Sequence, residues 1–179
     1  GDTHPLSGTH KGKQAMAMAM SKIPGLWHNF TVKPEFMIAE GNKVITKANF
    51  ASFPKGAKVF ISFGEIDCRP KEGLIAAAKK FDKPLEGLVD DTVRDYVKWF
   101  AKQNEGQGHH LYFINVPAPI YNNEHSAALN SRVLRAVSLF NVALKKYSSL
   151  HGYDLIDVFR ITGRNNGFSN GLLHVDSIH

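Results

Sequence analysis

The densest interior gathering of reactive side chains is Gly64-Glu65-Ile66-Asp67-Cys68-Arg69, where carboxylates, a thiol and a guanidinium share one short run. It follows directly on the apolar stretch 58–63, and charge crowded against the end of an apolar strand is hard to explain as packing. Two further clusters lie at the ends of the chain. Asp2 and His4 flank the hydroxyl of Thr3, and His174, Asp176 and His179 stand together near the other terminus. Hydroxyls, imidazoles and carboxylates are the groups that attack carbonyl carbons and move the protons this releases. Binding pockets collect convergent polar groups, so clusters at strand ends and in terminal loops are expected to line one cleft.

The elements that must position them alternate in kind. Residues 11–22, rich in Ala, Met and Lys, read as a helix ended by Pro24-Gly25. Residues 26–41 are ambiguous, with Phe30-Thr31-Val32 and Phe36-Met37-Ile38-Ala39 each readable as a strand. Residues 58–63 form a short β-rich apolar run and are predicted to be a buried strand. A helix over 70–81 is predicted, opened by Pro70 in its first turn. Over 85–103, Leu85, Leu88, Val89, Val93, Tyr96, Val97 and Phe100 make one apolar helical stripe. A second buried strand is predicted over 111–116, closed by Pro117 and Pro119. The stripe returns over 126–150, Gly152 ends it, and Tyr153 to Phe159 reads as another strand. From Thr162 to Leu172 the chain reads as loop. Strands alternating with long helices predict an α/β domain with a mainly parallel sheet covered on both faces, and 1–179 as a single domain. In such a sheet, ligands bind beyond the carboxyl ends of the strands, where the Gly64–Arg69 cluster falls.

Composition narrows the partners. Lys and Arg number 22 against 16 acids, but no long run of like charge appears, so the formal +6 describes a solvated basic surface and no nucleic-acid partner is expected. No stretch approaches the roughly 18 apolar residues of a membrane span, so no membrane partner is expected either. A single cysteine, Cys68, excludes an internal disulfide and a multi-cysteine metal site, and leans toward a reducing, cytoplasmic compartment. No cofactor is expected. Oligomeric state is left open.

Gly1-Asp2-Thr3-His4 resembles the first block of the SGNH (GDSL-like) hydrolases, Gly-Asp-Ser-x, whose serine is the nucleophile. Phe63-Gly64-Glu65-Ile66-Asp67-Cys68-Arg69 looks like the FGEIDCR variant of the third block in a subset of these proteins. Asp176-Ser177-Ile178-His179 resembles the closing Asp-x-x-His block. The blocks stand in family order. The resemblance implies a flavodoxin-like, three-layer α/β/α fold with a mainly parallel five-stranded sheet, and an esterase, O-acyl esterase (carbohydrate acetyl esters included) or acyltransferase acting on a small-molecule or carbohydrate ester. It further implies that Thr3 attacks the ester carbonyl, that His179 accepts its proton, and that Asp176 holds the imidazole and stabilises its charged form. Asp2 would fix the turn. The backbone N–H of Thr3 would stabilise the oxyanion, with Gly64, Glu65, Asp67 and Arg69 in support.

Departures from the pattern matter. Threonine stands where serine is usual, and its extra methyl restricts χ1 and crowds the approach. Ile66 stands where the third block has an oxyanion-donating asparagine, a loss that typically costs about 10²–10³ in rate. Arg69 is a candidate replacement donor. Gly41 and Asn29 are the candidates for the second-block position. Because the chain opens at the motif and stops at His179, a longer natural protein is expected at both ends, with the first strand of the sheet preceding Gly1.

Other readings stay open. The domain could be a non-catalytic binding or regulatory module. Glu65 and Asp67 could cap a helix opening near Pro70, and Asp176 could cap another. Cys68 reads better as a buried small hydrophobe than as a nucleophile, and His109 and His110 read as solvent-facing. Asp2-Thr3-His4 also fits the opening of binuclear metallophosphoesterases, with His174, Asp176 and His179 as further ligands. The other blocks of that family are missing from the sequence, so no bound metal is expected.

Overall fold

The computed structural model describes residues 34–40, 43–48 and 53–171. The chain divides into two compact units, Gly1–Pro54 and Lys55–His179. In the first, strand β1 (Pro34–Glu40) pairs antiparallel with β2 (Lys43–Ala48), Ile38 lying opposite Ile45 and Glu40 opposite Lys43. Of the two strand readings for 26–41, Phe36–Ala39 falls inside β1. Phe30–Val32 and the helix expected over 11–22 lie outside the described residues.

The second unit alternates strand and helix: β3 (Lys58–Ser62), α1 (Leu74–Phe81), α2 (Leu85–Asn104), β4 (His110–Ile114), α3 (Ala127–Leu150), β5 (Asp154–Ile156) and α4 (Val158–Thr162). The three strands run parallel in the order β3-β4-β5, with Ile61 beside Phe113 and Phe113 beside Leu155. The fold is therefore α/β with a parallel sheet, and among the described residues that sheet has three strands. Parallel neighbours need long crossovers, and both crossovers step the same way along the sheet. The right-handed rule then places α2 and α3 on one face. Ring contacts agree: Phe63, just past β3, lies against Tyr96 and Phe100 of α2, Phe113 of β4 and Phe140 of α3, with centroids 4.9–6.0 Å away.

Side chains alternate accordingly. Ile61, Leu111 and Phe113 are buried under the helices, where Val89, Val93, Val97, Val137, Phe140 and Leu144 complete the core. The apolar stripes expected on α2 and α3 supply those helix residues. Burying each such side chain contributes about 1.5–3 kcal/mol. On the opposite face Phe60 is 61% exposed and stacks on Tyr112 at 5.1 Å. The run 58–63 was expected to be buried on both sides. Its strand is instead half-buried, with α2 and α3 on the Ile61 side and Phe60 exposed on the other.

Other expectations change in detail. Helix α1 opens at Leu74 with Gly73 as its N-cap, and Pro70 lies in the preceding turn. The run Tyr153–Phe159 is not one strand: β5 stops at Ile156, and Asp157 caps α4 by accepting the Arg160 N–H at 3.1 Å. Helix α3 begins where Ser126 accepts the Leu129 N–H. His110 is exposed as expected, but His109 is buried, its backbone held by the Asn104 side chain through two 2.9 Å hydrogen bonds. Among the described residues no helix is long and apolar enough to cross a membrane.

Candidate functional site

Leaving β3, the chain turns at Gly64, whose φ of +102° belongs to the left-handed region that glycine tolerates. A Cβ at Gly64 would also collide with the Phe140 ring, so chain direction and core packing both exclude a side chain there. The Cys68 N–H then donates to the Glu65 carbonyl at 3.2 Å and the Arg69 N–H to the Ile66 carbonyl at 3.1 Å, winding Ile66–Cys68 into a short 3₁₀ turn. This turn gives each side chain of the cluster its direction.

Glu65 and Arg69 pair with each other, guanidinium Nε and Nη2 each donating to the carboxylate at 3.0 Å, and Glu72 stands 3.9 Å from Nη1. A bidentate pair of this kind fixes orientation as well as charge. Asp67 turns the other way and accepts the Tyr96 hydroxyl at 3.1 Å. Burial pushes the Asp67 carboxyl above the usual carboxylate range, against the pull of the Tyr96 bond, while burial and the Asp67 charge push the Tyr96 phenol up to about 12. Cys68 is buried, and desolvation raises its thiol well above its ordinary pKa, as suits a small core hydrophobe rather than a nucleophile. Neither Glu65 nor Asp67 caps a helix, since α1 opens without a side-chain cap. Ile66 projects outward, 61% exposed.

The opposite wall is one that sequence reasoning missed. After β4 the chain runs through Asn115-Val116-Pro117-Ala118-Pro119 to the start of α3, and distant polar side chains clamp it at successive points. Asn115 donates to Asp157 at 2.9 Å and accepts the Phe159 N–H at 3.0 Å, and its bond holds the Asp157 carboxyl below the usual range. Asn141 of α3 bonds both the N–H and the carbonyl of Val116 at 2.8 Å. Thr162 accepts the Ala118 N–H at 2.9 Å, and Asn130 bonds both the N–H and the carbonyl of Asn122. Asn115, Asn130 and Thr162 are buried, and each is satisfied in this way. Only the two prolines signalled an ordered wall here.

Between the Gly64–Arg69 turn and this wall lies a cavity of about 360 Å³. Cys68, Val116, Ala118, Val133 and Val137 form its apolar floor, and Glu65, Arg69, Lys71, Glu72 and His125 its polar rim. It opens beyond the carboxyl ends of β3 and β4, the position expected of a ligand site in a parallel sheet. A larger groove, about 920 Å³, runs among the ends of α1, α2 and α3. That groove is lined by helix residues and the turn between α1 and α2, and its charge is partly spent internally, as in the Arg135–Glu86 pair.

The structure thus brings Gly64, Glu65, Asp67 and Arg69 together at one end of the sheet. Asp2, Thr3, His4, His174, Asp176 and His179 lie outside the described residues, as do Asn29 and Gly41. Among the described residues no group of three His, Cys, Asp or Glu side chains could hold a metal ion. No protein-family model, curated protein or solved structure matches the chain.

Proposed function

We propose that the chain is an ester hydrolase or acyltransferase of the SGNH type, with Thr3, His179 and Asp176 as nucleophile, base and orienting acid. In this reading its parallel sheet is part of a five-stranded, flavodoxin-like one. The observation that carries the proposal is the cavity with an apolar floor and a polar rim, beyond the carboxyl ends of β3 and β4 and bordered by the Gly64–Arg69 turn. An ester needs both kinds of surface, one for the acyl chain and one for the carbonyl and alcohol. The Thr3 hydroxyl adds to the carbonyl carbon, His179 takes its proton and returns it to the departing alcohol, and water then releases the acyl group by the same route. The Glu65–Arg69 and Asp67–Tyr96 bonds hold the turn still, so that no reorganisation is needed as charge develops.

Hydrolysis of p-nitrophenyl acetate by wild type, Thr3→Ala and Thr3→Ser tests this. Thr3→Ala is expected to lose at least about 10³ in kcat/KM, by analogy with removal of a triad nucleophile, and Thr3→Ser to match or exceed wild type. A Thr3→Ala enzyme as fast as wild type removes the nucleophile assignment.

One observation favours a second reading, a binding module without turnover. The exposed Ile66 has no side-chain hydrogen-bond donor where the resembled block has an asparagine, and the Arg69 guanidinium is committed to Glu65. An inert wild type that gains activity as Thr3→Ser would decide for it.

A further inference from the structure

We infer that the cavity between the 3₁₀ turn and α3 is a selectivity pocket for a short, uncharged, unbranched acyl chain, with Val133 as the residue that sets its depth. The inference rests on the hydrolase reading for its chemistry, but the pocket itself stands on geometry alone. At about 360 Å³ the cavity is near the lower end of ligand sites, which span about 300–1,000 Å³. Its buried lining is mostly methyl, methylene and thiol surface, from Val116, Ala118, Val137 and Cys68 beside the half-buried Val133, and the buried Asn130 there has its amide engaged by Asn122 and Ser126. A charge pushed to that depth would lose its water and find no partner. The ionic groups stand at the rim, where Arg69 is matched by Glu65 and Glu72 and Lys71 is exposed, so charge is met at the mouth and not at the floor.

The walls are fixed before any ligand arrives. Asn141, Thr162 and Asn130 hold the 116–122 segment at Val116, Ala118 and Asn122, and α3 presents Val133 and Val137 one turn apart. A pocket held in this way discriminates by size, because its backbone does not yield to admit a longer chain. Val137 is buried in the core, whereas Val133 is only half-buried, so a larger side chain at 133 intrudes on the cavity without displacing the core.

Methyl chemical shifts of Val116, Val133 and Val137 in the intact chain, titrated with butyramide, test the pocket without requiring turnover. Saturable shifts at these methyls are expected in wild type. Succinamate, the same length with a terminal carboxylate, is expected to produce none. Val133→Phe is expected to weaken butyramide at least tenfold with its circular dichroism unchanged, and Val133→Ala, which cannot overpack, to shift preference toward hexanamide. In the hydrolytic assay, wild-type kcat/KM is expected to rise about 4-fold per methylene from p-nitrophenyl acetate to the butyrate, the worth of burying one methylene, and Val133→Phe to abolish that rise. Absent shifts in wild type, or equal shifts with succinamate, overturn the pocket whether or not esters are cleaved. Saturable butyramide shifts in a protein that hydrolyses nothing uphold the pocket and remove the hydrolase reading instead.

Discussion

Two carboxylates bordering the candidate site respond to their surroundings in opposite directions. Asp67 is pushed up by burial, whereas Asp157 is held down by its hydrogen bond from Asn115. The linkage signs follow. Ionised Asp67 is a burden on the folded state at neutral pH, a burden that disappears once the carboxyl is protonated in both folded and unfolded chains, below about pH 4. Asp67→Asn keeps an oxygen for the Tyr96 hydroxyl and removes the charge. It is expected to raise the thermal midpoint at pH 7, with the gain shrinking to nothing near pH 3 in scanning calorimetry. Asp157 contributes stability above its unfolded pKa and loses it as pH falls through its lowered folded value. Asp157→Asn is therefore expected to lower the midpoint at pH 7 by an amount that fades in acid. Two profiles of the same sign would mean that burial does not dominate at Asp67.

At the scale of elements, the segment after β4 depends on side chains far away in sequence. Asn141 lies 25 residues from the Val116 backbone it satisfies, and Thr162 lies 44 from Ala118. Truncating Asn141 to Ala leaves an N–H and a carbonyl short of partners, at an expected cost of about 1–3 kcal/mol in urea denaturation. The same variant is expected to flatten the preference for butyrate over acetate esters, since the cavity wall loosens with it. These clamps also mark where sequence reading stops. The stripes of α2 and α3 were legible because a helix repeats its buried face every three or four residues, and β3 and β4 because apolar runs ended at Gly64 and Pro117. Asn115, Asn130 and Asn141 carry no such period; their roles come from tertiary pairing, so they read as ordinary polar positions. The Asp157 cap was hidden in the same way, since Tyr153–Phe159 is apolar enough to pass for one strand. His109 looked solvent-facing because its burial depends on Asn104, a residue across a turn. Of the candidate site, the charge cluster at 64–69 was legible from its position after a strand. The internal pairings that orient it were not.

For the unit as a whole, the decisive feature is an unequal sheet. Both crossovers lay their helices on the side of Ile61 and Phe113, while the Phe60 and Tyr112 side keeps large apolar surface in view. Among the described residues this asymmetry is a consequence of strand order: without a reversal along β3-β4-β5, neither crossover reaches the second face. Paired truncations measure it. Phe113→Ala removes a fully buried ring that touches Phe63, Phe100 and Tyr153, and is expected to cost about 3–5 kcal/mol. Phe60→Ala removes a mostly solvated ring whose partner is a cross-strand tyrosine, and is expected to cost about 0.2–1 kcal/mol, the worth of such a pair. The two rings occupy neighbouring strands of one sheet, so the contrast isolates the face rather than the element. Equal costs in chemical denaturation would mean that the Phe60 face is covered in solution, as the second helix layer of the proposed five-stranded sheet would cover it; unequal costs would count against that layer.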